Sequence, residues 1–341
     1  MTKDVFEQGS KVEELVHQIC EKIFLSDFVV PNPKYVKKSG VENEIADTLI
    51  LLNNNLICFQ VKSKSEIKKI SEKTNVDIDR IHRRIADGID QLATVKKALD
   101  ASEKLNVKNR IGIDIELNTS TVKKVTGIVI LDLIGEEHFI ESERTEILGG
   151  FSWNNDIPVH IFMRADLELI ASEIDTPADF LNYLDMREKL YSKQILFPTV
   201  SERDYLGLYK LNPSLFEEVI KSGIDGLAVS EGHWNEYIEN KNELRKQRDK
   251  LNHSSYIIDK IISELHKTIG FTDSDLGKVV QRNDIEQGTV ANYFALISEL
   301  AGLNRLERRT VGEIFLHCLS KSDKSGHSHS LYTIPEKTKV F

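Results

Sequence analysis

The chain has 341 residues, 40% of them hydrophobic and 29% charged, with a formal net charge of −9. That length predicts two domains, one with a sizeable core, and the composition excludes disordered, fibrous and disulfide-framework classes. The acidic balance argues mildly against nucleic-acid binding by bulk charge, so a polyanion site has to be local. No apolar run approaches the roughly 20 residues that cross a bilayer. Met1 to Gly9 lacks a charged-then-apolar leader. The expectation is a cytoplasmic protein without membrane contact. Cys20, Cys58 and Cys318 are odd in number and far apart, which reads as reduced thiols.

Residues 4–25 read as an amphipathic helix, with Val12, Leu15, Val16, Ile19, Cys20 and Ile23 on one stripe. Pro31 and Pro33 break the chain after it. Thr48 to Leu52 reads as a strand, Asn53-Asn54-Asn55 as a turn and Leu56 to Lys62 as the returning strand. Ile81, Ile85, Ile89, Leu92, Val95 and Leu99 mark a second helix. Further strands are expected at Ile111 to Glu116, Val125 to Leu133 and Pro158 to Arg164, the apolar run at 128–131 being a buried one. Thr176-Pro177-Ala178-Asp179 carries an N-cap, a proline at the first helical position and an acid in the first turn. It starts a helix through about Tyr191. After Pro198 the pattern is helical, with a highly charged, solvated helix at Asn235 to Lys250. The order predicts an α/β fold, a mixed sheet flanked by helices over 1–195, then an all-α domain over 196–320 and a flexible tail over 321–341.

The hairpin carries chemistry. Glu44-Ile-Ala-Asp47 leads into it, and Gln60-Val61-Lys62 closes it. Polar groups and a cation in apolar strands are costly unless something uses them. Alternation puts Leu56, Cys58, Gln60 and Lys62 on one face, Gln60 and Lys62 about 6.6 Å apart along the strand. If the strands pair around the asparagine turn, Asp47 comes within reach of the same spot. Phosphodiester hydrolysis needs a hard divalent cation, oxygen ligands and a group that orients water. Asp47 offers a carboxylate and Gln60 an amide oxygen, a sparse shell that Mg²⁺ accepts because it keeps waters. Lys62 offers a cation to position water or offset charge on the phosphorane. From Lys62 to Arg84 eight basic residues face four acidic ones, a local excess of +4. Lys64, Lys68, Lys69, Arg83 and Arg84 in that stretch read as phosphate contacts, or else as a solvated surface.

These motifs resemble the PD-(D/E)XK nuclease superfamily, most nearly the branch in which glutamine replaces the second acid, as in methyl-directed type IV restriction enzymes. The resemblance covers residues 5–100 by motif and extends to about 195 by element order. It implies a restriction-endonuclease-like fold, Mg²⁺ (or Mn²⁺) as cofactor, DNA as substrate and bacterial defence against foreign DNA as the setting. It also implies an acid from the first helix. Gly9-Ser-Lys-Val-Glu13 is similar to the G-x-x-x-E element. At about 100° per residue Glu13 sits at the edge of the apolar stripe and Glu14 opposite it, so the role goes to Glu13, with Glu14 the weaker choice. A glutamine on the following helix is a further family feature, and Gln91 matches it. Glu13, Asp47 and Gln60 are then the metal set, with Lys62 acting on water or the transition state and Glu44 behind Lys62. Ala46 stands where the family name has proline, and Gln60 weakens the pull on a cation.

Other readings stay open. Asp47 alone is a strand-start cap, Gln60 and Lys62 alone are edge-strand polar residues, and Glu13 and Gln91 alone are helix-surface residues. The fold could serve as a catalytically degenerate scaffold, or the site could cut RNA. No Walker loop, G-x-G-x-x-G or G-x-S-x-G occurs. His317, Cys318, His327 and His329 match no zinc spacing. Residues 273–303 faintly resemble a helix-turn-helix, but the second helix lacks an Arg/Asn/Gln cluster and reads as bundle packing. Arg305, Arg308 and Arg309 form a basic spot suited to phosphate or an acidic partner. The helical half is expected to recognise substrate, a protein partner or a second copy of the chain.

Overall fold

The computed structural model describes residues 2–36, 39–64, 78–133, 150–193, 201–223, 229–270 and 296–321. Lys68, Lys69, most of the helix-turn-helix-like stretch, His327, His329 and the 322–341 tail lie outside the described residues.

The chain divides into two compact units, residues 1–175 with 180–239, and residues 176–179 with 240–341. The first is α/β. Its mixed sheet has six strands in the order β1-β4-β5-β8-β10-β9. These are β1 (Val29–Pro31), β4 (Thr48–Leu52), β5 (Asn55–Lys64), β8 (Lys124–Leu133), β9 (Phe151–Asn154) and β10 (Ile157–Met163). β5, β8 and β10 run parallel, and β1, β4 and β9 pair antiparallel at the flanks. Two small ribbons sit apart from this sheet: β2 (Lys34–Val36) with β3 (Glu42–Glu44), and β6 (Lys104–Lys108) with β7 (Asp114–Asn118).

Both faces of the central strands are covered, which is why β8 reads as a nearly continuous apolar run. On one face α2 (Ile78–Ala101) brings Ile81, Ile85, Leu92 and Val95 into a core with Leu49, Leu56, Cys58, Val129 and Leu131. The alternate β5 residues, Ile57 and Phe59, are equally buried and face the other way. There α1 (Thr2–Phe24) packs on β5 and β1 with Val12, Val16, Ile19, Cys20 and Ile23. Leu15, expected in that stripe, is 41% exposed. Gly127 lets α2 approach β8: a Cβ there would lie 2.4 Å from Leu92 Cδ1.

The hairpin register differs slightly from the sequence expectation. Leu52 pairs with Asn55, so the loop is two residues, Asn53-Asn54. Asn53 takes a φ of +55°, a conformation asparagine tolerates. The strand expected at Ile111 to Glu116 begins instead at Asp114. Asn109 closes the preceding turn, its Oδ1 accepting the Ile113 N–H at 2.7 Å and its Nδ2 donating to the Asp27 carbonyl at 3.0 Å. Ile111 is consumed by that turn. β6 and β9, absent from the expected elements, are short and partly exposed.

Three further helices position the rest of this unit: α3 (Arg164–Glu173), α4 (Pro177–Ser192) and α5 (Glu202–Leu211). The Asp179 N–H donates to Thr176 Oγ1 at 3.1 Å, the cap that starts α4. Arg187 on α4 is 1% exposed and pairs with Glu202 of α5 at 2.6 Å. Tyr183 donates to the other Glu202 oxygen at 2.5 Å. These ties hold residues beyond 200 in the first unit, whereas the sequence reading ended the first domain at 195. The second unit is helical and includes Ser255–Gly270 and Arg305–Lys321. In it Arg305 and Arg308 both clamp Asp259, at 2.5 and 2.6 Å, and Arg308 is only 5% exposed. That part of the expected basic spot is an internal ion cluster, because a buried guanidinium needs a counter-charge. Among the described residues no helix is long and apolar enough to cross a membrane.

Candidate active site

The antiparallel β4–β5 pairing brings the start of β4 beside the C-terminal part of β5. Asp47 precedes β4, and Gln60 and Lys62 lie at the facing end of β5. Asp47 is tethered through its N–H, its carbonyl and one carboxylate oxygen. Its N–H donates to the Phe59 carbonyl at 3.1 Å. Its carbonyl accepts the Asn32 N–H at 3.0 Å and His17 Nε2 at 3.2 Å. Its Oδ2 accepts the Val61 N–H at 2.5 Å. With its amide nitrogen turned inward, the Asn32 side chain also reaches the Asp47 carbonyl at 3.2 Å and Glu44 Oε1 at 3.3 Å.

Lys62 donates from Nζ to Gln91 Oε1 on α2. Gly88, one turn before Gln91, makes room: a Cβ there would lie 3.3 Å from Lys62 Cε and 2.9 Å from Val129 Cγ1. Burial holds the Lys62 ammonium below its ordinary pKa; Asp47, Asp87 and Glu13 oppose that shift, and Arg84 adds to it.

The two α1 acids separate cleanly. Glu14 is bound by Arg110, whose Nε also donates to Glu21 at 2.8 Å, and Arg110 holds the Glu14 carboxyl below its ordinary range. Glu13 feels the other cluster. Burial raises its carboxyl, then Asp47 and Glu44 raise it further, while Lys62 lowers it. Asp47 is raised by burial, against the Val61 N–H, Lys62 and His17. Glu44, exposed at its tip, is raised by the protein behind it and by Asp47. Glu13, Glu44, Asp47 and Lys62 thus form one electrostatic group drawn from α1, β3, the approach to β4, and β5. Gln60 joins by register alone. It is 4% exposed and pairs across from Val129. Arg83 and Arg84 stand exposed on α2, while the Lys64 side chain lies outside the described residues. A groove of about 720 Å³ opens along α1 beside Glu13, with Lys11, His17, Asn32 and Arg110 in its walls.

Two residues absent from the sequence-derived set, His17 and Asn32, converge on the Asp47 carbonyl. Only His17 had a legible signal: it stands four residues after Glu13, on the same helical face. For a metal, two clustered carboxylates and an amide oxygen are hard oxygen donors suited to Mg²⁺ or Mn²⁺. Among the described residues no group of three or more His, Cys, Asp or Glu side chains is arranged to hold one.

The burial that raises these carboxylates, with repulsion from Asp47 added at Glu13 and Glu44, has a consequence of measurable sign. A folded-state pKa raised above the unfolded value gives stability that is full below the ordinary carboxylate range and lost as pH rises through the raised value. The ionised cluster therefore opposes folding at neutral pH. Asp47→Asn keeps an oxygen for the Val61 N–H and removes a charge. In metal-free protein at neutral pH it is expected to raise Tm by about 2 °C, a gain that vanishes near pH ~4, where the acids protonate. Melting curves across that range check this, and a lowered Tm at neutral pH would refute net repulsion. Comparison with protein-family models, curated proteins and solved structures finds no match to this chain.

Proposed function

We propose that this chain is a divalent-metal-dependent endonuclease hydrolysing DNA phosphodiester bonds, with a restriction-endonuclease-like fold of the glutamine-variant PD-(D/E)XK kind. The observation that carries the reading is the shared electrostatics of Glu13, Asp47 and Lys62, three side chains from separate elements, at one end of the β4–β5 ladder. Carboxylates raised by burial, Glu13 further by the nearby Asp47 and Glu44, fit a site completed by a cation. Glu13, Asp47 and the Gln60 amide oxygen would hold Mg²⁺ or Mn²⁺, which when bound lowers the pKa of water and polarises a phosphoryl oxygen. Lys62, oriented by Gln91, offers its ammonium to the attacking water or to charge developing on phosphorus. Arg83 and Arg84 on the exposed face of α2 meet backbone phosphates. Bacterial defence against foreign DNA is the proposed setting, with the helical unit serving a partner or a second copy.

A second reading has its own support. Gln60 stands where an acid would bind metal more strongly, and the described residues lack a three-member acid or histidine group. A degenerate nuclease fold that binds DNA or a partner without cutting fits those two facts. Incubating labelled DNA and RNA with the full chain in Mg²⁺, Mn²⁺ or EDTA separates the readings. The endonuclease reading expects DNA products with either metal and none in EDTA. Intact DNA under all three conditions would favour the scaffold, and products from RNA alone would reassign the substrate.

A further inference from the structure

We infer that His17 is a positioning residue that locks the Asp47 segment to the helix carrying Glu13, and so sets the spacing of the two acids; its consequence for metal binding rests on the endonuclease reading above.

A polar ring on the buried stripe of α1 is costly unless it is bonded, and His17 is 3% exposed. Among the described residues its one hydrogen bond runs from Nε2 to the Asp47 carbonyl. A carbonyl only accepts, so Nε2 carries the proton. Among the described residues Nδ1 makes no hydrogen bond; the acid beside it is Glu14, 3.7 Å away and already bound by Arg110. The ring is therefore placed for Asp47.

The other anchor on that carbonyl is weaker in kind. Asn32 sits in an exposed turn with φ +45°, whereas His17 projects from a 23-residue helix. His17 and Glu13 are one turn apart on that helix, so a single hydrogen bond connects one acid's rigid support to the other acid's backbone. The groove along α1 is walled by His17, Glu13 and Asn32. With the carbonyl and N–H both fixed, the Val61 N–H has only the side-chain torsions of Asp47 left to settle.

The test compares His17→Phe, which keeps a ring without a donor, with His17→Gln, whose amide nitrogen can replace Nε2. His17→Met replaces the first if the phenylalanine variant does not fold. Amide exchange by NMR reads Val61 and Asn32, the two N–H groups that bond Asp47. Titration calorimetry reads Mn²⁺ uptake. The donor-free variant is expected to exchange at both amides about 10-fold faster, with the rest of α1 unchanged, and to need about 10-fold more Mn²⁺. The glutamine variant stays near wild type. Unchanged protection of Val61 without the donor, or a glutamine variant as loose as methionine, overturns the inference. If the wild-type chain takes up no Mn²⁺ while Val61 still loosens, the metal site is wrong and the positioning role stands.

Discussion

Lys62→Met is expected to lower DNA cleavage by on the order of 10²–10³-fold, the loss seen when one preorganised charge-stabilising donor is removed. Methionine keeps much of the unbranched stem that lies against α2 and deletes the ammonium. Gln91 then loses its donor but is solvent-exposed and finds water. Folding stability should therefore hold: burial already disfavours the Lys62 cation. Asp47→Asn is expected to be equally inactive for a different reason, because it halves the carboxylates that hold the cation. Initial rates on a labelled duplex, with circular dichroism and Tm as controls, distinguish lost chemistry from lost fold. Wild-type rates in both variants would sink the assignment and trace the cleavage to a contaminant.

The largest effect on stability is expected at Arg187. Its guanidinium pairs with Glu202 at 2.6 Å, donates to His160 Nδ1 at 2.9 Å and stacks 4.5 Å from the Phe162 ring centre. Burial and that guanidinium hold His160 well below its ordinary pKa, hence neutral and able to accept. Arg187→Met strands the Glu202 carboxylate, and breaking a buried pair from one side costs about 3–5 kcal/mol. Roughly 10 °C of Tm follows for a domain of this size. Arg187→Met with Glu202→Gln removes the orphaned charge and keeps an acceptor for the Tyr183 hydroxyl. It should recover about 2 kcal/mol, within the range that charge removal gives. Urea unfolding followed by tryptophan fluorescence reads the right unit, since Trp153 and Trp234 both belong to the first. A single-variant loss below ~1 kcal/mol would mean that the pair is solvated and dispensable.

How far the chain could be read depended on signal strength at each element. The β4–β5 hairpin, α1, α2, β8, β10 and the Thr176 cap were legible because long periodic runs and a specific cap sequence leave few alternatives. β6 and β9 were not, being short strands with partly exposed sides, and β7 was read with its start misplaced because a turn at Asn109 takes up Ile111. That residues past 200 stay with the first unit was hidden because ties such as Arg187 to Glu202 join side chains from separate helices. Within the site, Asp47 and Lys62 were visible as polar residues in apolar strands. The choice of Glu13 over Glu14 followed from helical angle, yet what occupies Glu14 is Arg110, 96 residues away.

Sequence alone determined which residue types are available here: an acid before a hairpin, an amide and a lysine at its end, and an acid on a preceding amphipathic helix. Local periodicity suffices for that, because side-chain direction in a helix or strand repeats every few residues. Tertiary structure alone decided which backbone groups pin Asp47 and which side chains share its charge. His17, Asn32 and Val61 reach it from three separate segments. Coulomb interaction and hydrogen bonding depend on distance through space, and chain closure, rather than spacing along the chain, sets that distance.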